Sequence, residues 1–176
     1  MDTFVFFLAL VGAAVAGTLN PTPYDDPWER VCPIHQTFSR LESQHSNRKE
    51  DRTWTYTCKE SPAKFGPVDR WSEEWTVMDA KVRHECGSNE VVAGFRSEHS
   101  NHHEDRKWQF MCRQLTFGTL TDCMWTGFWI NDLDGDLNYD IPAGHMMVGL
   151  LSKHDNWQED RRFKVKTCHY VDKTCV

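Results

Sequence analysis

Three histidines, three glutamates and three Asp-Arg pairs recur in this chain at a fixed spacing. The sequence reads SQHSNRKEDRTW at 43–54, SEHSNHHEDRKW at 97–108 and SKHDNWQEDRRF at 152–163. Each copy has the form S-x-H-[SD]-N-x-x-E-D-R-x-[WF], and His45, His99 and His154 lie 54 and 55 residues apart. His, Asp and Glu can ligate a metal. An acid pair beside a histidine can move protons. Planar polar side chains in a loop, with aromatics nearby, can hold a sugar by hydrogen bonds and ring stacking. Asp and Arg can also pin a fold together.

The repeat discriminates among these readings. The cluster His99, His102, His103, Glu104 and Asp105 offers metal ligands, but His102 and His103 become Arg48 and Lys49 in the first copy and Trp157 and Gln158 in the third. A repeated ligand set would not change so, and no metal or cofactor is expected. The surviving histidines, one per copy, could meet only if their loops converge. Catalysis is disfavoured because adjacent strand residues such as Glu104 and Asp105 face opposite sides, and because an active site is seldom present in triplicate. No enzyme is expected. The stretch Asn131-Asp132-Leu133-Asp134-Gly135-Asp136 suggests calcium but lacks the glycine and glutamate positions of an EF-hand loop. It is expected to be a polar strand face with a bulge or turn at Gly135.

Two roles remain for the repeated motif. Asp51-Arg52, Asp105-Arg106 and Asp160-Arg161 are expected to be structural pins, each Arg pairing within its own or a neighbouring repeat, with Trp54, Trp108 and Phe163 filling the core. The preceding turns, with His45, Asn47, Glu50, His99, Asn101, Glu104, His154, Asn156 and Glu159, are the candidate ligand-binding residues. Three weak sites would gain strength by multivalency.

The elements that must position these residues are strands. RTWTYTC and RKWQFMC alternate apolar with polar residues, as does LDGDLNYDI. EVVAGFRS and HMMVGLLS are short apolar runs with a central glycine. No window carries a helical stripe. The match extends upstream of the motif: Cys32 and Cys86 each precede their histidine by thirteen residues, and Ile141 stands at that place in the third copy. One repeat cannot bury its own apolar face. The expectation is an all-β, disulfide-stapled fold of three repeats of about 54 residues with pseudo-threefold symmetry, β-prism-like or alternatively a β-trefoil. The repeats run over about 28–60, 68–114 and 123–170, within a single domain 28–176.

Residues 1–17, MDTFVFFLALVGAAVAG, form an apolar run with an A-x-A end and are expected to be a signal peptide. Residues 18–27, with three prolines, are expected to be a flexible lead-in. Without Asp2, 26 acids become 25, against 20 bases, a net charge of −5. That argues against general nucleic-acid binding. No membrane span is expected. In an oxidising compartment the seven cysteines should mostly pair. Cys32–Cys58 and Cys86–Cys112 both span 26 residues, so repeat equivalence pairs them. Cys123–Cys168 is the third pair. Cys175 is left unpaired, as a free thiol or the link of a disulfide-bonded dimer.

The thrice-repeated E-D-R-x-[WF] strand, the cysteine soon after it and the segment CGSNEVVAGFRS resemble the dermatopontin family. The H-S-N-x-x-E-D-R form is most similar to its invertebrate agglutinin and aggregation-factor members. The resemblance covers about residues 28–176. It implies a secreted extracellular-matrix or lectin-like protein that binds extracellular glycans or glycosaminoglycans, matrix proteins such as collagen or proteoglycan, and cell surfaces, and promotes cell adhesion or aggregation. The competing expectation is a structural matrix protein, organising collagen or mineral, with no sugar site. Four places depart from the family pattern. Thr119 stands where a cysteine that would pair with Cys175 is often found. Arg113 stands where a second adjacent cysteine is common. The region around Arg70-Trp71 lacks another family cysteine. The tyrosine-rich amino-terminal stretch is reduced to Tyr24-Asp25-Asp26.

Overall fold

The computed structural model describes residues 17–18 and 20–173. The expected signal peptide, up to residue 16, and Cys175 lie outside the described residues. Among those described, there are twelve strands and no α-helix: β1 Gly17–Thr18, β2 Trp28–Val31, β3 Gln36–Ser46, β4 Asp51–Glu60, β5 Lys64–Trp71, β6 Val82–Glu85, β7 Glu90–Ser100, β8 Asp105–Phe117, β9 Thr119–Trp125, β10 Leu137–Asp140, β11 His145–Asp155 and β12 Asp160–Val171. Among the described residues no helix is long and apolar enough to cross a membrane.

Three long hairpins, β3–β4, β7–β8 and β11–β12, each form the middle of a four-stranded antiparallel sheet. The sheet orders are β1-β4-β3-β10, β5-β8-β7-β2 and β9-β12-β11-β6. One flanking strand of each hairpin, four residues long, comes from a different repeat. β2 pairs with β7, β6 with β11, and β10 returns to β3. The repeats thus exchange strands in a closed cycle.

Alternation places the side chains. In β4 Trp54, Tyr56 and Cys58 point inward while Thr53, Thr55 and Thr57 are half-exposed. All three hairpins carry a register shift at the same place, Phe38/Arg40, Val92/Gly94 and Met147/Gly149. The carbonyl of the bulged residue, Ser39, Ala93 or Val148, accepts the N–H of Ile141, Cys32 or Cys86, the residue just after the visiting strand. This explains two of the central glycines. A Cβ at Gly94 would lie 3.0 Å from Arg30 O, and one at Gly149 would lie 2.7 Å from His84 O. In β12 Thr167 stands opposite Met147, the place that Cys58 takes opposite Phe38, so Cys168 falls one residue later. Cys168 and Tyr170 pack in a second, smaller cluster with Met146, Val148, Val91 and Leu115, whereas Phe163 and Val165 belong to the main one.

The inner faces meet in one aromatic core. Trp54, Trp108 and Phe163 contact one another edge-on, with ring centroids 5.5, 4.9 and 6.1 Å apart, the tilted geometry that aromatic quadrupoles favour. Trp28, Phe38, Tyr56, Phe95 and Phe110 extend the same cluster. Disulfides Cys32–Cys58 and Cys86–Cys112 join adjacent sheets, because each first cysteine follows a visiting strand. Cys123–Cys168 lies within the third sheet. Arg113 is buried and donates to both carboxylate oxygens of Asp69 at 2.7 Å and to the carbonyls of Cys32 and Pro33, stitching the first two repeats together.

Residues 131–136 form a turn and not a strand. Asp134 there takes φ 59°, its N–H is held by Asp160, and the strand begins only at Leu137. Within the stretch expected as lead-in, Thr22 is buried and exchanges two hydrogen bonds with the backbone of Trp54.

Candidate functional site

The repeated motif assembles where the three hairpin tips converge. Each Arg forks onto the Asp of another repeat. Arg106 donates to Asp51 at 2.6 and 2.7 Å, Arg161 to Asp105 at 2.5 and 2.6 Å, and Arg52 to Asp160 at 2.6 Å twice. All six side chains are buried. Each Asp also accepts the N–H of a loop aspartate 26 residues before it: Asp25, Asp79 or Asp134, at 2.8–2.9 Å. These loop residues share a left-handed backbone, φ 61°, 57° and 59°. Burial would raise the Asp160 carboxyl, but hydrogen bonds from His45 and Arg52 hold it down to about 2. Asp105 is shifted the same way: burial is outweighed by Arg161. Charges so enclosed, when paired, contribute less to net stability than to registry, and losing one partner is costly.

The turn histidines are buried between repeats. The side chains of His45, His99 and His154 are 0, 0 and 1 % exposed. His99 Nδ1 lies 2.9 Å from Asn101 Oδ1, and His154 Nδ1 lies 3.2 Å from Asn156 Oδ1. Nε2 of His45, His99 and His154 faces the glutamate of its own turn, Glu50, Glu104 or Glu159, at 3.6, 4.0 and 3.8 Å. His45 Nδ1 lies 3.3 Å from Asp160. Burial would lower its pKa, but Asp160 raises it overall. Asn47, Asn101 and Asn156 remain exposed at the tips.

Glu50, Glu104 and Glu159 all have left-handed backbones, φ 45°, 44° and 43°. They ring a central cavity of about 20 Å³ whose other walls are the pins, Trp54, Trp108, Phe163 and His154. That space takes one water-sized body and no sugar ring. Burial raises the Glu159 carboxyl, and the negative charges of Asp79, Glu104 and Glu50 add to this against His154.

A second set of residues lies on the outer sheet faces and is absent from the candidates named above. Trp75 has Arg96 at 5.5 Å and Lys107 at 4.7 Å over its ring; Trp129 has Arg162 at 5.0 Å and Lys164 at 5.2 Å. Trp75 and Trp129 are 54 residues apart, and Lys107 and Arg162 are 55 apart, so the repeat spacing marks them once outward positions are compared as well as inward ones. In the first repeat the corresponding surface is a polar cleft of about 230 Å³, lined by Glu42, Gln44, Thr53, Thr55, Asp136 and Asn138 among others. His84 stacks on Phe110 at 4.3 Å, with Nε2 3.3 Å from Cys112 Sγ. Cys86 and Cys112 are joined as a disulfide, which leaves no thiolate for a metal there.

Residues 22–172 match the family model described as Dermatopontin. The chain is 36% identical over 143 residues to the hemagglutinin/amebocyte aggregation factor of Limulus polyphemus, covering 78% of this chain and 79% of that one. It is 35% identical over 145 residues to Millepora cytotoxin-1 of Millepora dichotoma, covering 82% of this chain but only 64% of that longer protein. Dermatopontin of Biomphalaria glabrata is 29% identical over 143 residues, 94% of its length. No solved structure matches the chain.

Proposed function

The chain belongs to the dermatopontin family, and on that premise we propose that it is a secreted matrix or lectin-like adhesion protein that binds glycans or matrix proteins and promotes cell adhesion or aggregation. One observation carries this reading: the likeness to a hemagglutinin and aggregation factor extends over 79% of that relative. Two kinds of surface suit it. Half-exposed Trp75 and Trp129, each flanked by two cations, can stack on a sugar ring while the cations meet its acidic substituents. The exposed Asn47, Asn101 and Asn156, with the part-exposed Glu50, Glu104 and Glu159, are the members of the repeated turns that reach solvent. The role is binding and not catalysis.

The arrangement of sheets is read as β-prism-like about a pseudo-threefold axis, which gives up to three contacts per molecule. Weak contacts at several points bridge cells far better than one. Cys175 is the proposed free thiol or dimer link.

A second reading is favoured by the burial of His45, His99 and His154. Their recurrence is accounted for by packing, as in a structural matrix protein without a sugar site. Binding to a glycan and glycosaminoglycan array, with free sugar or heparin as competitor for cell binding, separates the two. Specific hits that compete support adhesion through glycans. Cell or collagen binding that neither competitor reduces supports the structural alternative.

A further inference from the structure

We propose that Cys86–Cys112 is a site of thiol–disulfide exchange, at which a small external thiol joins Cys86 and Cys112 leaves as a thiolate held by His84. Access differs between the two sulfurs. Cys86 is half-buried and borders two surface clefts of about 270 Å³ each, one beside Ser88, Asn89 and Lys166, the other beside Arg70, Trp71 and His84. Buried Cys112 borders only the second. A thiol entering the first cleft meets Cys86 on a side that Cys112 does not share, which suits attack at Cys86 with Cys112 departing behind it.

A donor waits at the leaving sulfur. His84 Nε2 lies 3.3 Å from Cys112 Sγ and 3.8 Å from Cys86 Sγ. A disulfide sulfur carries no proton and can only accept, so this hydrogen bond puts a proton on Nε2. The ring stacks on Phe110 with centroids 4.3 Å apart, which keeps the N–H on the sulfur. Burial first, and Arg70 second, hold the ring's pKa down to about 4. The ring is then neutral at pH 7, and a charged ring would present the same donor. A thiolate forming on Cys112 strengthens the bond, and a stabilised thiolate leaves faster. The other two disulfides lack one or other feature. Cys32 and Cys58 are each 1% exposed. Cys123 is exposed, but its partner Cys168 is buried among Met146, Val148 and Tyr170, and apolar surroundings oppose a thiolate.

In the exchange, the external thiol loses its proton to water and attacks as a thiolate. One S–S bond forms to Cys86 as the bond between Cys86 and Cys112 breaks, and the electron pair goes to Cys112 Sγ, which then takes a proton from water. The link that opens is one between sheets. Cys86 follows β6, whose four residues stay paired with β11, and Cys112 belongs to β8. Exchange therefore unfastens the third sheet from the second while the backbone ladder remains.

The test treats the native protein, with any free thiol blocked beforehand, with 2-mercaptoethanol. Newly freed thiols are trapped with iodoacetamide at intervals, and mass spectrometry maps both adducts, beside a His84→Phe variant. The mercaptoethanol adduct is expected on Cys86 and the alkyl group on Cys112, at a rate about tenfold or more above the opening of the other two disulfides. His84→Phe should slow this opening by about fivefold or more and leave that of Cys123–Cys168 unchanged. Near-ultraviolet circular dichroism checks that the variant is folded, and opening of Cys32–Cys58 reports unfolding in either protein. The parent's map decides the matter even if His84→Phe does not fold. The proposal is overturned if Cys123–Cys168 opens first, if all three disulfides open together, if the mercaptoethanol adduct settles on Cys112, or if folded His84→Phe opens at the parent's rate.

Discussion

Arg52 and Asp160 lie 108 residues apart and meet through two hydrogen bonds of 2.6 Å. This pair joins the last repeat to the first and completes a cycle that Arg106–Asp51 and Arg161–Asp105 begin. Removing one member leaves a buried, uncompensated charge. Arg52→Ala should cost about 3–5 kcal/mol in urea unfolding, and the double variant Arg52→Met/Asp160→Leu should recover much of it. If Arg52→Ala costs under about 1 kcal/mol, the pin is not a structural element.

Trp108 is 2% exposed and touches Trp54, Phe163 and Trp28. Trp108→Ala should cost about 3–5 kcal/mol, as large aromatic deletions in cores do. A loss below about 1 kcal/mol in chemical denaturation would contradict a buried, packed ring.

Acid should destabilise the protein in two stages. His84 is held down to about 4, first by burial and then by Arg70, with Glu90 and Glu85 opposing. Unfolded, it titrates near ~6.5. Its folded value is depressed, so its contribution is present above about 6.5 and is lost as pH falls toward the folded value. Because the ring is half-buried, that loss should be about 1–2 kcal/mol. Asp160, near 2 when folded against ~3.9 unfolded, contributes above about pH 4 and loses it below, by about 2 kcal/mol. Urea midpoints should decline from pH 6.5 to 4 and again below, and His84→Phe should remove the first decline. His45, whose pKa burial lowers but Asp160 raises overall, gains stability over the same window and offsets part of this loss; a His84→Phe profile identical to the parent's between pH 7 and 4 would exclude the His84 effect.

The outward tryptophans test the adhesion reading without touching the core. Trp75→Ala and Trp129→Ala should each reduce cell or glycan binding by roughly fivefold, the equivalent of about 1 kcal/mol, with the melting temperature nearly unchanged. Unaltered agglutination in the double variant would remove these faces from the binding surface.

Cys175 predicts either a disulfide-linked dimer on a non-reducing gel or one reactive thiol per chain in a titration of the secreted protein. A monomer with no reactive thiol would exclude both.

The inward face of the fold was legible because it is local. Trp54, Tyr56 and Cys58 alternate along one strand, and the motif recurs at 54 and 55 residues. The partners of the visiting strands were not legible. Pairing of β2 with β7 or of β10 with β3 depends on contacts far apart in the chain, and four-residue strands carry little pattern of their own. The same limit hid the burial of His45. The motif reads as a polar turn, yet Asp134 and Asp160, which enclose its ring, belong to another repeat. LDGDLNYDI alternates like a strand throughout, but the left-handed Asp134 keeps its first part a turn. Trp75 and Trp129 stand in aromatic-rich stretches that correspond between copies, but the cations flanking them, Arg96, Lys107, Arg162 and Lys164, come from strands elsewhere in the chain, and that juxtaposition has no sequence signature.

Because every hairpin takes one of its two flanking strands from another repeat, the number of copies is not arbitrary. A chain shortened to two would keep a donor strand with no acceptor at one end and an unfilled acceptor at the other. Such ends are complementary to one another but not to themselves, the condition for head-to-tail growth between molecules. Three copies satisfy every end within one chain, so the closure that holds the domain together also keeps it from becoming a filament.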